Sequence, residues 1–137
     1  MALKTVIDTN IIVSALSSRS EYHWIIQSLL NEAFELYITD EIFLEYEEIL
    51  CEKYSPNVAS NFLRVLKELP NVHFSHIFFK WDLIHDKDDN KFVDCYVSAN
   101  ADHLITHDRH FSVLNTITFP KVSVINIPAF KNVLSSL

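Results

Sequence analysis

The stretch VIDTNIIVSAL, Val6 to Leu16, is an apolar run rich in β-branched side chains, interrupted near its start by Asp8, Thr9 and Asn10. β-Branched residues favour extended chain, and apolar residues at successive positions suit a strand covered on both faces, as in a parallel sheet. Lys4 to Val13 is therefore read as the first strand, with Asp8 towards its end. A lone carboxylate buried in such a run costs several kcal/mol unless it is paired, protonated or bound to a metal. Asp8 thus calls for a partner.

Downstream, Tyr22, Ile25, Ile26, Leu29, Leu30 and Ala33 recur at helical spacing, and ELYIT from Glu35 reads as a second strand. Asp40 is placed to cap a helix whose buried stripe is Ile42, Phe43, Tyr46, Ile49 and Leu50. Ser55-Pro56 has the form of a cap followed by Pro at the first helical position, with Val58, Phe62, Val65, Leu66 and Leu69 turned inward. Asn71 to Ser75 is a third strand, and HDKDDNKF from His85 is a polar loop entering a helix with Asp89 at its N-cap. HLIT from His103 is a fourth strand leading to Asp108, Lys121 to Ile127 a fifth, and Pro128 opens a C-terminal helix. Strands alternating with helices predict a three-layer α/β/α sandwich with a mainly parallel central sheet. Ligands of such sheets bind at the carboxyl ends of the strands, near a topological switch point.

The 137 residues fit a single domain, 1–137, and 49% hydrophobic content is that of an ordinary globular chain. No apolar run approaches the roughly 18 residues of a membrane span, and MALKTVID lacks the core of a signal peptide, so the expected location is cytoplasmic, away from any membrane. Cys51 and Cys95 match no zinc, redox or disulfide pattern and are expected to be buried thiols. A net charge of −7 argues against holding nucleic acid on a broad basic surface, though not against reaching phosphate through a divalent cation. The chain contains 0 Gly, which excludes the Gly-rich phosphate loops of P-loop and Rossmann sites.

The acids fall where such a sheet would bind a ligand. Asp8 ends the first strand and Asp108 follows the fourth, while Asp89 opens a helix feeding the same edge. The helix after the second strand adds Glu45 or Glu47, which flank opposite sides of its apolar stripe, and periodicity does not choose between them. Two unit charges about 6 Å apart repel by almost 3 kcal/mol at an effective dielectric near 20, so clustered carboxylates need a cation. An all-oxygen site suits Mg²⁺ or Mn²⁺. Taken singly, Asp89 reads equally well as a helix cap, Asp108 as a turn initiator and Glu45 as a solvated helix residue. Asn10 serves as a loop former or orients Asp8, and His85, His107 and His110 read as surface residues.

Taken together, VIDTNIIVSAL, ITDEIFLEYEEIL, DKDDNKFVDC, ADHLITHD and VINIPAF resemble the PIN-domain family of metal-dependent ribonucleases, particularly toxins of bacterial toxin–antitoxin pairs. The resemblance covers almost the whole chain and selects Glu45 over Glu47. It implies that Asp8, Glu45, Asp89 and Asp108 are catalytic and hold Mg²⁺ or Mn²⁺, with Asp94 as a further candidate ligand or a solvated acid, and Asn10 and Thr106 in support. It further implies an RNA substrate and an antitoxin partner, and leaves room for a homo-oligomer. Two departures stand out: His107 occupies a customary Gly position between Thr106 and Asp108, and Asn100 replaces the Gly before Ala101-Asp102. Asn is the residue best able to replace Gly in a left-handed helix cap. Two rival readings are a PIN-like binding module without strong activity and a phosphatase-type domain with Asp8 as nucleophile. The second requires an acid where Asn10 stands.

Overall fold

A computed structural model describes residues 2–137. Its first strand, β1 (Lys4–Ile7), is shorter than the β-branched run predicts, because the chain turns at Asp8 into helix α1 (Thr9–Leu16). The polar interruptions explain the difference. Asn10 and Ser14 are four residues apart and exposed, whereas Ile11, Ile12 and Ala15 share a buried face, which is helical periodicity inside an apolar stretch. Packing against neighbouring helices overrides the strand preference of Ile11, Ile12 and Val13.

Helix α2 (His23–Leu30) buries Ile25, Ile26 and Leu29, while Leu30 and Ala33 are exposed because the helix stops at Leu30 and the chain reverses through Glu32. Strand β2 (Glu35–Ile38) leads to α3 (Asp40–Lys53). Its cap is Thr39, whose hydroxyl accepts from the Ile42 amide, and not Asp40, which sits in the first turn. Ser55 caps α4 (Pro56–Glu68) as its sequence predicts, although α4 buries Ala59, Phe62, Leu63 and Leu66 and leaves Val58 at the surface. Strand β3 (Val72–Phe74) follows, then a long irregular connection, 75–89, before α5 (Asn90–Ala99). Asn100 ends α5 at φ 52° and ψ 48°, the left-handed geometry expected of it.

Strand β4 (His103–Ile105) stops one residue before Thr106, and a 3₁₀ segment, Arg109–Thr116, occupies ground with no helical pattern. The expected fifth strand contracts to two residues, β5 (Val124–Ile125), and α6 (Ile127–Ser135) closes the chain with Asn126 as cap. The sheet is fully parallel in the order β3-β2-β1-β4-β5, so the architecture is the α/β/α sandwich. The chain winds outward from β1 to β3 and then returns to β4 beside β1. The β1/β4 boundary is therefore the topological switch point. Among the described residues no helix is long and apolar enough to cross a membrane.

Tyr46, fully buried on α3, donates its hydroxyl to the Ile7 carbonyl at 2.6 Å and so ties α3 to the end of β1. Tyr46→Phe is expected to lower unfolding free energy by roughly 1–2 kcal/mol, because a buried acceptor loses its donor. Urea unfolding with an unchanged slope would register this as a shift in midpoint.

Candidate active site

Asp8 is almost fully buried at the junction of β1 and α1, where its backbone amide still joins the sheet through the Ile105 carbonyl at 3.0 Å. The Thr106 hydroxyl donates to Asp8 Oδ2 at 2.8 Å and accepts from the Asp108 amide at 3.0 Å. One side chain thus fixes the first acid and the backbone carrying the last. Burial raises the Asp8 pKa. The Thr106 hydroxyl and the Asn10 backbone amide oppose that rise, while the Glu45 and Asp108 charges add to it. Asn10 contributes through its backbone, and its exposed side chain lines a cleft of 290 Å³ with Asp8, His107 and Asp108. His107, exposed on that rim, lies 6.0 Å ring to ring from Tyr22 and outside the left-handed region, so the loop makes no demand for Gly there.

Glu45 is half-buried and Glu47 exposed. Glu45 Oε2 accepts from the buried Thr9 hydroxyl, and Oε1 meets Lys91 Nζ at 2.8 Å. The Lys91 side chain is only 9% exposed. Glu45 therefore reaches the end of β1 with both oxygens engaged, one by a residue of α1 and one by a residue of α5.

Asp89 stands at the α5 N-cap position without making a cap hydrogen bond, and its Oδ2 is buried with no partner. Its pKa is raised to about 6, first by burial, then by the Asp86, Asp108 and Asp8 charges, against which His110 acts weakly. Asp89 thus feels the charges of both Asp8 and Asp108. Asp108, half-buried, does initiate a turn: its Oδ1 accepts from the His110 amide at 2.9 Å and lies 3.2 Å from His110 Nδ1. Asp86, Asp89 and His110 offer ligand atoms within 4.8 Å of one another. Asp86 and His110 carry no sequence signal, because they converge only through the fold of the 75–89 connection and the 3₁₀ segment.

Asp94 is buried, which excludes the solvated alternative, and its Oδ1 accepts from the Trp81 amide at 2.9 Å. The charges acting on it are those of Lys80, Glu41 and Asp82. The structure thus brings Asp8, Glu45, Asp89 and Asp108 to the carboxyl edge at the switch point and sets Asp94 apart. Oxygen donors dominate the group, and the partnerless Asp89 oxygen suits a hard divalent cation, so the residues present fit Mg²⁺ or Mn²⁺.

A family model described as PIN domain matches residues 4–110. Among solved structures, the chain is similar to that of VapBC2 from Rickettsia felis bound to a DNA fragment from their promoter, with a TM-score of 0.64 and 15% identity over 90% of this chain and 98% of that one. At that identity the likeness is one of fold. A search of curated proteins found no match.

Asp89 binds its proton more tightly in the fold, with a pKa of about 6, than at its ordinary 3.8, so ionising it weakens the metal-free protein. This contribution should fall as pH rises from 3.8 to about 6 and stay low above that. Thermal melts in EDTA should show wild type losing stability relative to Asp89→Asn across that interval. Parallel curves would contradict the assigned pKa.

Proposed function

Because the chain belongs to the PIN-domain family, we propose that it is a Mg²⁺- or Mn²⁺-dependent endoribonuclease, a single cytoplasmic domain that hydrolyses RNA phosphodiester bonds and serves as the toxin of a toxin–antitoxin pair. The observation that carries this reading is the partnerless buried oxygen of Asp89, set among carboxylates from separate elements of the fold. Asp8, Glu45, Asp89 and Asp108 would hold the cation. When bound, such an ion supplies an activated water and neutralises phosphate charge.

The chain's own residues prepare that edge. Thr106 holds Asp8 in one orientation and favours its charged form against the opposing effect of burial. Thr9 and Lys91 aim Glu45 from two sides. His107 and Asn10 line the open cleft beside Asp8, where a phosphodiester would enter. Such an enzyme endangers its host, which motivates an antitoxin that covers the cleft and sets an Arg or Lys against the carboxylates. Electrostatic complementarity would then fix both partner and orientation.

Glu45→Gln should abolish divalent-dependent cleavage of RNA while preserving the circular-dichroism spectrum, and Glu47→Gln should cleave as wild type does. The reverse pattern would reassign the second acid. Mn²⁺ at about 100 times its dissociation constant should stabilise wild type by about 2.7 kcal/mol, and Asp8→Asn should blunt the shift in melting temperature. An equal shift in both proteins would remove Asp8 from the metal site. Induced alone, the wild type should slow bacterial growth. Asp8→Asn, or co-expression with the product of the adjacent gene, should relieve the arrest. Harmless expression of a folded, RNA-cleaving chain would sink the toxin role and leave the nuclease standing.

A further inference from the structure

The irregular connection 75–89 does not hang free. Three side chains of α5 at four-residue spacing hold it along the helix. Ser98 Oγ donates to the His76 carbonyl at 2.6 Å, Asp94 Oδ1 accepts from the Trp81 amide at 2.9 Å, and the buried Asn90 bonds both the amide and the carbonyl of Ile84 at 2.9 Å. A backbone tied at these points presents its side chains in fixed places, and two of the four residues between the first two ties, Phe78 and Phe79, are exposed aromatics. Phe78 is 93% and Phe79 63% exposed, and Phe119, from the chain before β5, is 79% exposed. Phe79 and Trp81 lie 4.7 Å apart, centroid to centroid, and Trp81 and Phe119 5.6 Å apart, which makes one continuous row.

A contiguous exposed aromatic group of this kind marks an interaction surface. Its surroundings indicate the occupant. Lys80 interrupts the row in sequence, and with Lys87 and Lys91 it lines an adjoining cavity of 340 Å³. These are three of the 11 Lys and Arg in a chain of net charge −7. They face Glu41, Asp82 and Asp94 there, three cations against three acids, so a polyanion meets less repulsion at this lining than the chain's net charge of −7 implies. A second copy of the chain fits less well, because a two-fold contact through this patch would bring the Lys80 ammonium groups of both copies into one desolvated interface. Lys91 also meets Glu45, so one side chain borders both the cavity and the carboxylate edge. Asp94, which ties Trp81, is five residues beyond Asp89, about 7.5 Å along the helix.

We infer that Phe79, Trp81 and Phe119 form a stacking platform for the bases of single-stranded RNA, receiving nucleotides that flank the phosphodiester held at the carboxylates. The identity of the ligand as RNA rests on the ribonuclease reading above. Aromatic platforms with interleaved cations hold single strands with little regard to sequence, since every base offers a π-face. Bases paired in a duplex are not available to such a platform.

The test uses the full chain carrying Asp8→Asn, which prevents cleavage, and follows the anisotropy of an end-labelled oligouridine in Mg²⁺ buffer. Adding Phe79→Ala and Phe119→Ala should weaken binding by about 10-fold or more. Both residues are largely exposed, so the melting temperature should hold. Phe119→Trp in place of Phe119→Ala should restore affinity, and binding of duplex RNA should be indifferent to all of these changes. Unchanged oligouridine affinity in the double alanine variant would overturn the platform, as would a failure of the parent chain to bind oligouridine. So would sedimentation in which the alanine changes convert a dimer to monomers without affecting RNA. The two readings fail separately. Cleavage by the chain with native Asp8 that is indifferent to the aromatics removes the platform alone. Aromatic-dependent binding with no cleavage in Mg²⁺ or Mn²⁺ removes the nuclease alone.

Discussion

The Thr106 hydroxyl, donating to Asp8 and accepting from the Asp108 amide, is the contact on which the carboxyl edge depends. Burial alone would drive Asp8 towards its neutral form, and the charges of Glu45 and Asp108 push the same way. A donor at 2.8 Å opposes both without adding a charge. Because Thr106 directly follows β4 and Asp8 directly follows β1, the parallel pairing of these strands sets the donor opposite its acceptor. A one-residue slip in that pairing would turn the Thr106 side chain to the other face. The register of two short strands therefore decides whether the first acid has a partner.

Helix α5 performs the complementary task from outside the sheet. Its buried Phe92, Val93, Cys95 and Tyr96 anchor it in the core, and its first turn delivers Asp89 and Lys91 to the edge. Its polar stripe, Asn90, Asp94 and Ser98, holds the connection 75–89 by hydrogen bonds, with Asn90 and Asp94 buried beneath it and Ser98 exposed. One rigid helix thus couples the third acid, the cation that meets Glu45 and the backbone of the aromatic row. Burial pushes the Cys95 thiol up to about 12, so at neutral pH it stays protonated and acts as core packing.

Lys91 also clarifies how an acidic cluster persists in an acidic chain. Its stem is buried, and its ammonium group lies against Glu45 at 2.8 Å, so part of the carboxylate repulsion is offset within the protein itself. Asp89 has only the weak relief of His110, and burial, followed by the charges of neighbouring acids, raises its proton affinity. The uneven distribution of countercharge makes Asp89 the point where an added cation has most to stabilise.

Much of this was legible in the chain because it depends on local order. Alternating strands and helices, Ser55-Pro56 at a helix start, Asn100 at a left-handed cap and acids at strand ends are all features that short-range sterics and hydrogen bonding impose wherever they occur. The same local logic misjudged Ile11 to Val13, whose strand preference yields to packing on neighbouring helices, and Asp40, which yields its cap to Thr39. Periodicity left Glu45 and Glu47 open, since both border the same apolar stripe, and the resemblance chose Glu45; only tertiary structure sets Thr9 and Lys91 against Glu45. Tertiary structure likewise tied Asp94 to the Trp81 amide, joined Asp86 and His110 to Asp89, and aligned Phe79, Trp81 and Phe119 from two distant segments. The sequence by itself determined which residue types stand at element boundaries, because backbone geometry there is a local matter. Which of them meet was decided by strand order and helix docking, because those contacts join residues far apart in the chain.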